Sequence, residues 1–312
     1  MSGRCVYLTG ATASYFLLVL PLLESFATYA PHGEKLYVCD FGLSEPQKKF
    51  LEAKGQLLPR PASLGPGLHP YRYKASMSLF AGELDYDALV WIDSDCLVVG
   101  SLVQAVEAIM DAKADCGDFL SICQDLGGSI ADMVRNLPLA PFEQLLEKAG
   151  ISRDQPYLNC AVFILRSHAT LKAWREQVIT LEEHPLFEQN LLNVLAYGTL
   201  KAVDLLDREV WNVHDLDLDR LEVHRDQDGG DPIVRMGEKT VLVVHATSYN
   251  GRTVSFRPVR FPVGDGYVIE GLFRMVNNEP VRDLFFTSLS WYLVKHKQEL
   301  IDSGVVNKFT AA

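Results

Sequence analysis

The sequence LVWIDSDCLV at residues 89–98 decides the fold, because it joins an apolar segment directly to two acidic side chains. The residues from Ala88 to Ile92 are apolar and bulky, which predicts a buried central strand. Asp93-Ser94-Asp95 follow where that strand stops, and ligands of open α/β sheets collect outside the carboxyl ends of the strands. Two carboxylates one residue apart offer hard oxygen ligands to one Mn²⁺ or Mg²⁺ and leave positions open for phosphate. The plainer interpretation is a pair of acids that caps a turn.

Short apolar runs alternate with helical patterns on both sides of this segment, which predicts βαβ units. We therefore expect an α/β fold with a mainly parallel central sheet flanked by helices, followed by appended C-terminal helices. One domain is expected over residues 1–260, with a helical extension packed on it over 261–312. The predicted strands are 6–8, 35–39, 88–92, 119–123, 158–165 and 241–244, and the predicted helices are 15–29, 45–53, 71–84, 169–181, 187–196 and 281–301.

The composition excludes some classes of function. The chain has 312 residues, of which 48% are hydrophobic, and a net charge of -11, so we expect a folded enzyme-sized protein that binds no nucleic acid, because neutralising phosphates takes a basic face. A single diphosphate remains an allowed ligand, and in an acidic protein a metal held by carboxylates is the favoured counter-charge.

Two further features bear on the compartment. The six cysteines include no C-x-x-C pair and are interpreted as small buried hydrophobic residues, with a disulfide set as the alternative. The apolar run from Phe16 to Leu23 is short and lacks a strongly basic leader, so it is predicted to be a buried helix and not a signal peptide or membrane span. A cytoplasmic, soluble protein is expected.

Several motifs occur in an order that matches a known family. They are Tyr7-Leu8-Thr9 followed by Tyr15, Lys74 in the helix before the acidic motif, Asp93-Ser94-Asp95, YLNCAVF at residues 157–163 and FEQNLLN at residues 187–193. Over residues 7–251 the chain resembles the GT-A class of glycosyltransferases, and most closely glycosyltransferase family 8, which includes glycogenin and bacterial galactosyltransferases.

The resemblance implies a GT-A nucleotide-diphospho-sugar transferase fold and retaining transfer of a hexose, from UDP-glucose or UDP-galactose, to an acceptor that the sequence does not identify: a saccharide, a protein or a lipid-linked glycan. It implies a metal site of Asp93, Asp95 and His245, and a neutral imidazole at a strand end is itself a suitable Mn²⁺ ligand. The residues expected to contact the nucleotide sugar or its metal are Leu8, Thr9, Tyr15, Asp40, Lys74, Asp93, Ser94, Asp95, His245 and Gly251. Those expected to orient the sugar for the transfer are Asn159, Glu188 and Gln189.

Some of the candidate residues also have a structural interpretation. Tyr15 and Asp40 are candidates to stack on and hydrogen-bond the base, or else core and cap residues. Lys74 is a phosphate contact or a solvated surface charge. Asp118 and Asp125, on either side of the predicted strand at Phe119, are acceptor contacts or surface acids.

The sequence departs from the family pattern in two places. His245-Ala246-Thr247-Ser248-Tyr249-Asn250-Gly251-Arg252 departs from H-x-x-G-x-x-K-P-W: the glycine comes late, at Gly251, and the basic residue that follows it is Arg252 and not the lysine that would clamp the diphosphate. Glu188 replaces an aspartate, which changes the expected reach to the sugar.

Other functions remain as alternatives. A haloacid-dehalogenase-like phosphatase also places D-x-D after a strand, with the first acid as nucleophile, and a non-catalytic sugar-nucleotide-binding protein would keep the same fold. Thr9-Gly10-Ala11-Thr12 is typical of dinucleotide-binding oxidoreductases, but the later glycines of that fingerprint are missing. The oligomeric state is open, and a homodimer is one option.

Overall fold

The computed structural model describes residues 4–31, 33–200, 202–225 and 231–308. Within them the strands are β1 Cys5–Ala11, β2 Leu36–Asp40, β3 Leu57–Leu58, β4 Ala88–Ile92, β5 Cys96–Val98, β6 Phe119–Ser129, β7 Pro156–Arg166, β8 Val203–Leu206, β9 Glu222–His224, β10 Ile233–Met236, β11 Lys239–Thr240, β12 Val243–His245, β13 Val254–Gly264, β14 Tyr267–Val276 and β15 Asn307–Lys308. The helices are α1 Phe16–Tyr29, α2 Glu45–Ala53, α3 Pro70–Ala75, α4 Met77–Phe80, α5 Leu102–Ala112, α6 Ile130–Asn136, α7 Ala140–Ala149, α8 His168–Thr180, α9 Phe187–Thr199, α10 Arg208–Trp211, α11 Glu279–Lys295 and α12 Lys297–Ser303, with short 3₁₀ turns at Ala13–Tyr15 and Asp215–Arg220.

Seven strands form the central sheet, in the order β3-β2-β1-β4-β7-β6-β8. The pairs β1–β4, β2–β3 and β6–β8 are parallel. Strand β7 is the exception, because it runs antiparallel to both β4 and β6. The predicted α/β class with a mainly parallel sheet and helices around it is confirmed.

The chain divides into two compact units. The first contains residues up to Leu8, Arg60–Ile92 and Glu107–Arg208, and the second contains Thr9–Pro59, Asp93–Val106 and the chain from Glu209 onward. The division therefore falls directly before the acidic motif. Residue 260, where the sequence predicts the end of the main domain, lies inside β13, and the helical extension stays a prediction.

In the first unit, α9 is packed on β7 through amide side chains as well as apolar ones. Asn193 accepts a hydrogen bond from the backbone N–H of Leu158 (2.7 Å) and donates one to the carbonyl of the same residue (3.0 Å). Asn190 accepts a hydrogen bond from the Tyr157 hydroxyl at 2.6 Å. Because buried polar groups must be hydrogen-bonded, these pairs fix the position of α9 on the strand. The first turn of α9, which carries Glu188 and Gln189, is held with them.

In the second unit, α1 is buried nearly all round, from Phe16 through Leu23 and again at Phe26. A helix that is apolar on every side belongs in a core, and α1 packs against α11 and β14. The prediction of a buried helix here is confirmed. Among the described residues, no helix combines the length and the apolar character needed to cross a bilayer.

Two predicted helices are interrupted. The helix expected over residues 71–84 ends at Ala75, and Met77 begins a second one, because Ser76 leaves the helical conformation and its hydroxyl bonds back to the Arg72 carbonyl at 2.8 Å. The C-terminal helix is interrupted at His296, whose backbone has a φ of -113°. Its ring contacts Lys54 of α2, so tertiary contacts override the local helical pattern.

Candidate functional site

The acidic motif forms the turn between β4 and β5. The N–H of Cys96 donates to the carbonyl of Asp93 at 3.0 Å, which closes the turn. Asp93 is half-buried, whereas Asp95 is only 6% exposed. Strand β12 then pairs antiparallel with β5 and sets His245 opposite Cys96. The backbone ladder thus brings His245 next to the acidic motif.

Asp95 is in contact with two basic side chains. One carboxylate oxygen, Oδ1, lies 3.3 Å from Nε2 of His245. The other, Oδ2, lies 2.9 Å from Nε of Arg274 on β14. Burial alone would raise the pKa of Asp95, but the Arg274 guanidinium and His245 together hold it well below its ordinary range. Asp95 is therefore ionised at neutral pH.

The imidazole of His245 is oriented by Asn212. Nδ1 of the ring lies 3.0 Å from Oδ1 of Asn212, and a carbonyl oxygen accepts, so Nδ1 carries a proton. In the neutral ring the lone pair then lies on Nε2, the nitrogen that faces Asp95. Two electron-rich atoms 3.3 Å apart require positive charge between them, either a proton or a cation.

These donors fit a divalent cation. Neighbouring ligands at right angles on an ion, with bonds of about 2.1–2.3 Å, lie about 3.0–3.3 Å apart, and the observed separation of Oδ1 and Nε2 is 3.3 Å. The hydrogen bond from Nδ1 to an amide oxygen is the usual support of a ligating histidine. Within the described residues, the group whose donor atoms lie close enough to share an ion is Asp95, Cys96 and His245, all within 4.8 Å of one another. That group includes the Cys96 thiol and does not include Asp93, whose part as a ligand stays a prediction.

Tyr15 and Asp40 have structural partners in the second unit. Tyr15 is half-buried, and its ring meets Phe256 edge-on at 5.9 Å. Oδ1 of Asp40 accepts the backbone N–H groups of Gly42 (2.9 Å) and Leu43 (2.7 Å). This is the geometry of a residue that caps the turn after β2, so the cap interpretation of Asp40 accounts for its burial.

Three more predicted contacts lie in the second unit. Thr9 is fully buried on β1, and its hydroxyl has no hydrogen-bond partner among the described residues. Ser94 is half-buried in the turn of the acidic motif. Gly251 has a φ of +68°, a backbone conformation that favours glycine, and the neighbouring Arg252 is exposed.

The first unit holds Leu8 and Lys74. Leu8 is buried on β1 opposite Trp91 of β4. Lys74 is only 5% exposed, and its Nζ lies 5.5 Å from the centre of the Trp91 ring. The interpretation of Lys74 as a solvated surface charge is therefore wrong, and an ammonium group over an aromatic face is stabilised there by the ring quadrupole.

The three predicted sugar-orienting residues come together in the first unit around Asp125. One oxygen of Asp125 accepts hydrogen bonds from the amides of Asn159 (2.8 Å) and Gln189 (3.2 Å). Oε1 of Gln189 accepts the backbone N–H of Cys160, and the Cys160 thiol lies 3.6 Å from Oε1 of Glu188. All five residues are buried. We call this set the amide–carboxylate cluster.

Asp125 corrects one interpretation of the sequence. The surface-acid interpretation of Asp125 is wrong, because the residue is 3% exposed and accepts hydrogen bonds from two predicted site residues. Asp118, by contrast, is exposed and accepts a hydrogen bond from the Ser167 hydroxyl at 2.8 Å. The alternation of buried and exposed side chains along a strand does not predict which of the two acids is buried. Asp125 lies where β6 shifts its register against β7, so the alternation is interrupted there.

Sequence reasoning missed Asn212, Arg274 and the thiol of Cys96 as members of this site. Asn212 and Arg274 are separated from the acidic motif by long stretches of chain, and Cys96 reads as a buried hydrophobic residue. Of the three, only Asn212 could have been found from the sequence. It lies in the segment WNVH at residues 211–214, which is too apolar for a surface loop.

No protein-family model and no curated protein sequence matches the chain. Solved structures that align with it include the galactosyltransferase LgtC in complex with donor and acceptor sugar analogues, with 18% identity over 77% of this chain and 86% of that chain and a TM-score of 0.47. They also include the glycosyltransferase GlyE of Streptococcus pneumoniae TIGR4, with 12% identity over 100% of this chain and 66% of that chain and a TM-score of 0.49. The bifunctional glycosyltransferase WbbM aligns with 14% identity over 68% of this chain and a TM-score of 0.47, and the chain spans 40% of its length. Similarity at this level does not assign a function, which depends on the residues of the site.

Proposed function

We propose that the protein is a metal-dependent glycosyltransferase of the GT-A class, similar to family 8, which transfers a hexose from a nucleotide sugar to an acceptor. UDP-glucose and UDP-galactose are the first donors to test. The observation that carries the proposal is the buried Asp95, whose Oδ1 lies 3.3 Å from Nε2 of His245. Such a pair, at the end of a strand and with its imidazole held by Asn212, suits a divalent cation that binds phosphate oxygens.

The roles of the residues follow from charge and donor chemistry. Asp95 and His245, with Asp93 as the further carboxylate, hold Mn²⁺ or Mg²⁺. When bound, this ion supplies the positive charge that offsets the negative charge developing on the leaving diphosphate. The protein contributes a carboxylate that is already ionised and an imidazole that is already oriented, so little reorganisation is needed at the moment of transfer.

The nucleotide and sugar are assigned to the remaining predicted residues. Leu8, Thr9, Tyr15, Asp40, Lys74, Ser94 and Gly251 are proposed to contact the nucleotide and its phosphates. Asn159, Glu188 and Gln189 are proposed to hold the sugar hydroxyls, since orientation of the two substrates supplies much of the rate in a group transfer. Their fixed positions around Asp125 support this assignment. Retention of configuration and a cytoplasmic location complete the proposal.

The decisive experiment follows nucleotide release from a panel of nucleotide sugars with Mn²⁺ and with EDTA. We expect Mn²⁺-dependent release of the nucleoside diphosphate from at least one donor. Asp95→Asn should abolish it while the protein still folds, and the matched control Asp219→Asn, an exposed acid of the same unit, should keep the parent rate. Full activity of Asp95→Asn would refute the assignment. Release of phosphate from an aryl phosphate without any sugar transfer would indicate the phosphatase, and affinity without release would indicate a binding protein.

A second measurement concerns His245. We expect His245→Ala to weaken Mn²⁺ binding, followed by calorimetry, by at least about tenfold, because even the partner of a ligating histidine contributes 10- to 100-fold. In EDTA, the free energy of unfolding should fall by less than the free energy of Mn²⁺ binding that the variant loses. Parent-like Mn²⁺ affinity in this variant would exclude His245 as a ligand.

A further inference from the structure

Arg274 contacts the candidate metal site directly, through the carboxylate of Asp95. It lies on β14, opposite Phe256 of β13, and its guanidinium carbon lies 4.5 Å from the centre of the Phe256 ring. Nε faces Oδ2 of Asp95 at 2.9 Å. The side chain is 15% exposed, so it is held in place and still reachable from solvent.

The guanidinium is only partly used by the protein. Nη1 donates to the carbonyl of Ala246 (3.0 Å) and to the hydroxyl of Thr247 (2.9 Å). Nη2 donates to no acceptor among the described residues. Arginine presents its donors in a planar fork that matches phosphate oxygens, and one arm of this fork is available for a ligand.

The charge balance of the site indicates what the Nη2 group of Arg274 would bind. Under the proposed function, Asp93 and Asp95 together neutralise a divalent cation, so the ion and its two carboxylates carry no net charge. A nucleoside diphosphate brings about three negative charges at neutral pH. A further cation is required, and Arg252, which stands in place of the missing lysine, is exposed in its turn.

We propose that Arg274 binds the diphosphate of the nucleotide next to the cation, and that it serves as the counter-ion of Asp95 when no nucleotide is bound. The proposal rests on the proposed function and adds a specific phosphate-binding residue to it. Arg274 thereby plays two parts of opposite sign. It competes with the metal for Asp95, and it attracts the nucleotide once the metal is present.

These opposite signs separate the proposal from a merely structural role. Removing the positive charge should strengthen the binding of Mn²⁺ alone by about fivefold, because Asp95 then loses a competing cation. The same change should weaken the binding of UDP at saturating Mn²⁺ by about 30-fold, the worth of a charge-assisted hydrogen bond to phosphate. A residue that only held the hairpin in place would weaken both when removed.

The test measures Mn²⁺ binding and then UDP binding at saturating Mn²⁺, by calorimetry, for the parent, Arg274→Gln, Arg274→Lys and Arg252→Gln. Arg257→Gln, an exposed arginine of β13, is the matched control and should behave as the parent. Arg274→Lys keeps the charge without the fork, so its Mn²⁺ affinity should stay near the parent value while its UDP affinity falls several-fold. Circular dichroism verifies that each variant is folded.

The outcomes distinguish the two proposals. A parent protein that binds neither Mn²⁺ nor UDP would overturn the proposed function and this inference with it. A parent that binds both, with Arg274→Gln unchanged or weaker for both ligands, would overturn the inference alone. A loss of UDP binding in Arg252→Gln but not in Arg274→Gln would assign the role to Arg252.

Discussion

The pair formed by Asp95 and Arg274 makes a strong prediction about stability that needs no metal and no substrate. The two side chains are 8% and 15% exposed, with 2.9 Å between Nε and Oδ2. Removing one partner of a buried ion pair costs about 3–5 kcal/mol. Asparagine keeps the shape of Asp95, and Arg274 keeps the two acceptors of its Nη1. We therefore expect Asp95→Asn and Arg274→Gln each to lower the free energy of unfolding by about 2–3 kcal/mol.

The double variant should be no less stable than the worse single variant, because it leaves no uncompensated charge behind. The coupling free energy from the cycle of single and double variants is then about 2 kcal/mol. The dependence on pH has a definite sign. The folded-state pKa of Asp95 lies below its ordinary value of 3.8, so the coupling is fully present above that value and is lost as the pH falls further, through the folded-state pKa.

Urea unfolding followed by circular dichroism, in EDTA at pH 7 and again below pH 4, gives the four free energies. Asp219→Asn and Arg257→Gln serve as exposed controls and should stay within about 0.5 kcal/mol of the parent. Single variants whose effects add to within about 0.5 kcal/mol in the double variant would refute the pairing. A coupling that grows towards low pH would refute the sign of the pKa shift.

Three further predictions concern other parts of the chain. Asn212→Ala should weaken Mn²⁺ binding about tenfold by calorimetry, because the imidazole loses its orienting acceptor, and an unchanged affinity would contradict that orientation. Gly10→Ala should destabilise by about 1–3 kcal/mol in urea unfolding, because the new Cβ would lie 2.3 Å from an aromatic ring, whereas Gly117→Ala, with open space around it, should be near neutral. A thiol reagent should modify the partly exposed Cys5 and Cys116 in the folded protein, and all six cysteines only after unfolding. Rapid reaction of more than two thiols in the folded protein would contradict the described burial.

Much of the fold could be predicted because local pattern and tertiary structure agree there. The helix over residues 45–53 begins after Ser44 in a capping box, in which the backbone N–H of Ser44 donates to Oε1 of Gln47 at 2.9 Å. The strand predicted at residues 88–92 is confirmed, and all five of its residues are buried. The breaks at Ser76 and His296 were not predictable, since each depends on a hydrogen bond or ring contact that the helical periodicity does not encode.

In the candidate site, the sequence predicted the proximity of Asp95 and His245 but not their other contacts. Asp95 and His245 follow from a motif and from strand ends, whereas Arg274 lies in a strand pattern that places it on the same face as Glu270 and Leu272, which are both solvent-exposed. Period-two alternation therefore predicts an outward-facing arginine. Its burial depends on the Phe256 ring and on the Asp95 carboxylate, and neither contact can be read from sequence neighbours.

The antiparallel ladder of β5 and β12 makes the spacing of Asp95 and His245 independent of the length of chain between them. Loops can grow or shrink over evolutionary time without altering the separation of the two donors, as long as Cys96 stays opposite His245. A single residue inserted at Val244 would have a far larger effect. It would turn the imidazole to the opposite face of the two-stranded ribbon, since successive side chains point to opposite faces. His245 would then no longer face Asp95.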